Sequence, residues 1–165
     1  MNRFWNEYQK AIADDHYFYE RSCIRQTFFP GSETAFLRML REELNKDIFD
    51  DFRQHTCTGI GYHTDVVPLE TTMTVVARLF SLMTEHGYEN YVPSCVTSFG
   101  VFTEMVHMWQ EHPELLEKTR ENLYKACKRE FNIPKNIAHP SDVIYHFRNE
   151  LAEKMKYRLV NRFTG

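Results

Sequence analysis

The sequence predicts an α/β fold, a three-layer domain with a mostly parallel sheet flanked by helices. Two observations predict it. Short aromatic or β-branched runs alternate with longer stretches in which apolar residues recur every three to four positions. Each longer stretch is a crossover able to return the chain for a strand in the same direction. Only six Gly and six Pro punctuate the 165 residues, so the chain reads as one well-ordered compact domain.

Residues 3–13 place Phe4, Trp5, Tyr8 and Ile12 on one face of a short helix, a helical extension over residues 1–15. His16-Tyr17-Phe18-Tyr19 reads as the first strand, followed by a loop with Cys23 and a turn at Pro30-Gly31. Ser32 caps a helix near 33–45 that turns Phe36, Met39, Leu40 and Leu44 inward. A weaker strand over residues 47–52 precedes a loop from His55 to Pro68. A helix near 69–86 gathers Met73, Val76, Ala77, Phe80 and Met83 on one face and stops at Gly87. Asn90–Pro93 is a strand; helices follow at 98–111 and 113–130, the second opened by Pro113, whose missing N–H costs nothing there. Residues 136–139 give a last strand, and Ser141 caps a helix to about residue 157. Residues 16–112 form the core, and 113–165 a helical region leading away from it.

The net charge is -3 with the charges interspersed, which leaves no basic face for nucleic acid or an anionic membrane surface. No apolar run approaches the ~20 residues of a membrane span, and the first residues lack the pattern of a secretory signal, so the cytoplasm is expected. Four cysteines without a secretory signal point to metal, redox or core roles rather than disulfides. Cys23, Cys57 and Cys95 each follow a strand, on the edge where parallel sheets keep their functional crevice. Their thiolates are the ligands that zinc and iron–sulfur clusters prefer. Cys127, within a helix, reads as a structural residue.

Beyond this pattern, residues 17–24 (Tyr17-Phe18-Tyr19-Glu20-Arg21-Ser22-Cys23-Ile24) and Phe29-Pro30-Gly31-Ser32-Glu33-Thr34-Ala35 carry a resemblance. They resemble the opening of the heterodisulfide reductase B subunit and its relatives in the cysteine-rich (CCG) domain family, as the amino-terminal half. Cys57-Thr58-Gly59 stands where that family has Cys-Cys-Gly, and Cys95-Val96-Thr97-Ser98 where it has Cys-x-x-Cys. His139-Pro140-Ser141-Asp142-Val143-Ile144-Tyr145 is similar to its linker between two cysteine-rich halves. The resemblance covers residues 16–160.

It implies a redox domain, with electron transfer through an iron–sulfur centre to a thiol/disulfide or related acceptor, in complex with iron–sulfur or flavin subunits. Cys23, Cys57 and Cys95 are the implied ligands, and Thr58 and Ser98 line the cofactor where ligands have been lost. Three thiolates suit a cubane 4Fe-4S cluster with an open or non-cysteine fourth position, or zinc with Cys₃His or Cys₃-water ligation. His63 and His55 are the nearest fourth ligands. The rival expectation is a non-catalytic interaction domain with an empty or zinc-filled site, docking a partner through an aromatic surface around Trp5 and Trp109.

Other constellations are thin. Glu104-x-x-His107 has the spacing of a di-iron half-site but stands alone. No phosphate-binding glycine loop and no nucleophile elbow is present, though Thr97 and Ser98 at a helix start could hold an anion. A dithiol oxidoreductase is disfavoured because Ser98 replaces the resolving thiol.

Overall fold

The computed structural model describes residues 16–51, 53 and 59–163, with the side chains of Ile24 and of 157–163 left outside the description. Strands β1 (His16–Glu20), β2 (Asp47–Phe49), β3 (Asn90–Pro93) and β4 (Asn136–Ile137) form one all-parallel sheet in the order β2-β1-β3-β4. Helices α1 (Cys23–Phe28) and α2 (Pro30–Arg38), continued by a π-helical turn at Met39–Glu43, join β1 to β2. Helices α3 (Gly59–His63) and α4 (Leu69–Glu85) cross from β2 to β3, and α5 (Val96–Glu111) and α6 (Pro113–Cys127) lead on to β4. Helices α7 (Pro140–His146) and α8 (Arg148–Phe163) follow. The expected three-layer α/β architecture is therefore observed.

Period-2 alternation on β1 explains the layers. Phe18 enters a core shared with Met73, Val76 and Phe80 of α4, Phe102 and Trp109 of α5, and Leu123 of α6. Its neighbours Tyr17 and Tyr19 point to the opposite face, into a core with Phe36, Leu37, Leu40, Val143 and Leu151. All four residues of β3 are buried, as a central strand covered on both faces requires. Gly87 closes α4 at φ 75, a left-handed conformation that costs glycine little, as its sequence position predicts.

Several expected boundaries move. Cys23 opens a helix rather than lying in a loop, because Ser22 caps it: the Ser22 hydroxyl accepts the Arg25 N–H at 3.3 Å. Pro30-Gly31 is the first turn of α2 and not a β-turn, since proline at a first helical position forfeits no bond, and this displaces Ser32 as the cap. The expected loop from His55 holds α3, and the expected helix from Ser141 is two helices, the first capped by the His139 side chain. The strand at 136–139 ends at Ile137, and the extension over 1–15 lies outside the described residues.

An ionic cluster closes the carboxyl end of β2. Arg21 and Arg41 both bond Asp50, and Arg53 and His86 both bond Asp51, the latter at 2.5 and 2.9 Å. Hydrogen bonds from Arg53 dominate at Asp51 and hold its carboxyl far below the usual range, against burial. Burial alone would raise Asp50, but Arg41 and Arg21 outweigh it and the net shift is also downward. Carboxyls depressed on folding stabilise the fold above their unfolded pKa of about 4, and that stabilisation is lost as pH falls through their lower folded values. Urea midpoints should thus drop steeply as pH falls below about 4, with Asp51→Asn less stable at pH 7 and losing less in that acid range.

Candidate functional site

From β1 the chain moves outward to β2, then returns across β1 to place β3 on its other side. The carboxyl ends of β1 and β3 therefore flank the topological switch point, where open parallel sheets leave a crevice. Cys23 follows β1 and Cys95 follows β3. Cys23 is exposed and Cys95 half-buried.

A buried carboxylate fixes the backbone on both sides of this crevice. Glu33 of α2 is 4% exposed, and its Oε1 accepts the Ser22 N–H at 2.9 Å and the Ser94 hydroxyl at 3.0 Å. Ser22 and Ser94 are the residues immediately before Cys23 and Cys95. The Ser94 N–H also donates to the Glu20 carbonyl at 3.3 Å, which continues the β1–β3 ladder to the cysteines. Sequence reasoning missed Glu33, because nothing in its local pattern separates it from surface glutamates. The serine directly before each of two strand-end cysteines was the available signal.

Cys95 is the N-cap residue of α5. Burial pushes its thiol up, but the N–H groups and hydroxyls of Ser98 and Thr97 outweigh burial and bring the net shift below the ordinary cysteine value. Ser98, 7% exposed, thus faces the cysteine whose partner it replaces in the Cys-x-x-Ser sequence. The other motif arrives from α3. A Cβ on Gly59 would lie 2.4 Å from Thr97 Cγ2, so the two helices meet there closer than any side chain permits. Gly59 of Cys57-Thr58-Gly59 and Thr97 of Cys95-Val96-Thr97-Ser98 are hence packed together.

Cys57, Thr58 and His55 lie outside the described residues. His63 ends α3 and is exposed, its ring 5.4 Å from that of Tyr62. Among the described residues no three His, Cys, Asp or Glu side chains form a metal-type group. Glu104 accepts the Tyr62 hydroxyl at 2.7 Å, which raises Tyr62 to about 12, while His107 pairs with Glu111 at 3.4 Å; the two form no half-site. Cys127 is exposed at the end of α6 rather than packed in a core. The expected docking surface around Trp109 is corrected, since Trp109 is 1% exposed, its indole enclosed between α5 and α6. Trp5 lies outside the described residues.

No family model matches the chain. Among curated proteins, the B subunit of ferredoxin:CoB-CoM heterodisulfide reductase from Methanosarcina acetivorans is 26% identical over 147 residues, 89% of this chain. The chain is similar to part of that heterodisulfide reductase B subunit. It spans 46% of that protein's length. Among solved structures, a hypothetical protein from Helicobacter pylori matches with a TM-score of 0.60 at 11% identity, over 86% of this chain and 30% of the other. That likeness is one of fold. Among the described residues no helix is long and apolar enough to cross a membrane.

Proposed function

We propose that this chain is a redox domain that passes electrons through an iron–sulfur centre, of cubane 4Fe-4S type, toward a thiol/disulfide or related acceptor. It works in this reading as one CCG-type half within a multi-subunit, cytoplasmic oxidoreductase, beside iron–sulfur or flavin subunits. The observation that supports it most is the seat of Gly59 on Thr97, which joins the two cysteine motifs at the switch point that Cys23 also borders. Thiolates are the donors such a centre takes. Cys23 and Cys95 both border the crevice, and Glu33 bonds the residues that precede them, Ser22 and Ser94.

Cys23, Cys57 and Cys95 would hold the cluster, with His63 or an exogenous group at the fourth position and Thr58 and Ser98 beside it. A cluster there supplies one-electron transfer. The chain's own part would be to bind it, with Thr97 and Ser98 in the first turn of the helix that Cys95 precedes.

The test is iron, sulfide and the visible spectrum of protein purified without oxygen, comparing the unaltered chain with Cys57→Ala. Iron and sulfide with a thiolate-to-iron absorption band, all lost in the variant, are expected. Colourless, iron-free protein sinks the reading. A structural domain with zinc or an empty site is then favoured, because Thr58 and Ser98 stand where two ligands would be. Zinc would contribute on the order of 10 kcal/mol to folding, so a chelator would unfold the zinc form and leave an empty domain untouched.

A further inference from the structure

A cavity of about 410 Å³ opens between α2 and α7, lined by Arg25 and His139 on its polar side and by Phe36, Met39, Pro140 and Ile144 on its apolar side. It lies where the chain leaves β1 and β4, on the same edge of the sheet as Cys23 and Cys95. Arg25 is two residues beyond Cys23, and the His139 ring meets that of Phe99, in the first turn of α5, at 6.0 Å.

The charges in this cavity are unbalanced. The Arg25 guanidinium is half-buried and has no ion pair or side-chain hydrogen bond among the described residues. No carboxylate is among the lining side chains. His139 adds no second cation at neutral pH: burial lowers its pKa, and Arg25 lowers it further against Asp142. Its Nδ1 accepts the Ser141 N–H at 3.3 Å, which leaves the ring neutral with the proton on Nε2. One guanidinium with its donors open thus stands at the rim of an apolar hollow. A guanidinium recognises an oxyanion in a two-pronged fork, and an apolar wall with few polar groups is the make-up of a small-molecule site.

We propose that this cavity binds a small organic acid, its carboxylate or other oxyanion on Arg25 and its hydrocarbon body against Met39 and Ile144. The site goes beyond the redox reading and needs no metal. It places an acidic ligand against α1, the helix that Cys23 begins, on the edge of the sheet that also bears Cys95.

The probe is hexanoate, titrated into the full chain while amide and methyl NMR signals of Met39 and Ile144 are followed, with hexanamide as the uncharged counterpart. Saturable shifts with hexanoate are expected, weakened about tenfold or more by Arg25→Gln and little changed by Cys57→Ala. Hexanamide should bind at least about tenfold more weakly. Ile144→Asp, at a side chain already 43% exposed, should also weaken hexanoate while leaving the fold intact. Equal binding of acid and amide, or equal binding by Arg25→Gln, or no saturation with hexanoate, overturns the site. Loss of iron in Cys57→Ala with hexanoate binding retained separates this site from the cluster.

Discussion

Trp109→Ala should lower the stability of the domain by about 3–5 kcal/mol, the largest single-residue effect expected here. Trp109 is 1% exposed, and its ring lies 5.2 Å from that of Phe131 and 6.2 Å from that of Phe80. It therefore ties α5 to α4 and to the segment after α6. Its Nε1 donates to Thr119 Oγ1 at 3.2 Å, itself buried on α6. Truncation removes the ring and leaves a cavity walled by rigid helices that cannot close over it. Trp109→Phe should cost less, since the ring contacts survive and one hydrogen bond of about 1 kcal/mol goes. Urea unfolding followed by circular dichroism gives both numbers. A loss below about 1 kcal/mol for Trp109→Ala would mean that this layer is not packed as described. Trp109 lies near the end of a 16-residue helix that begins beside Cys95, roughly 20 Å away along the axis, so the alkylation rate of Cys95 should stay unchanged in the folded variant.

Trp109 also shows what the sequence could and could not convey. Its spacing within 98–111 placed it on a helix, yet an aromatic at one helical position reads equally as core or docking surface until the facing helix is known. Layers and strand order were legible because they depend on local period: β3 and α4 are close to their predicted ranges. Crossovers followed from strands alternating with helices. Boundaries near the site were not legible, since caps decide them. Ser22, not Ser32, starts the helical run after β1, and this turns Cys23 from a loop residue into a helix-starting one. Glu33 and Arg25 were invisible for another reason. Each matters through contacts with residues distant in sequence, Glu33 by bonding Ser94 and Arg25 by facing α7, and no periodicity encodes such meetings.

Gly59→Ala carries the second large effect, and it falls on the site. The added Cβ would sit 2.4 Å from Thr97 Cγ2, 3.0 Å from its Cβ and 3.3 Å from its carbonyl carbon. Rotating the threonine removes only the first clash, because Cβ and the backbone do not move with the rotamer. Helix α3 must therefore back away from α5, at about 1–3 kcal/mol by the usual cost of overpacking. Gly100→Ala is the control, since a Cβ there meets nothing within 4 Å. Thr97→Ser deletes Cγ2 while keeping the hydroxyl beside Cys95, so the double variant Gly59→Ala/Thr97→Ser should recover part of the loss, a coupling of about 0.5 kcal/mol or more. In the proposed cluster reading, this shift disturbs the contact of Gly59, two residues beyond Cys57 in sequence, with Thr97 of the Cys95 motif. Metal content should accordingly fall in Gly59→Ala by more than its stability accounts for and return in the double variant. Full metal loading in a measurably destabilised Gly59→Ala would show that the contact between α3 and α5 supports the fold without setting the site.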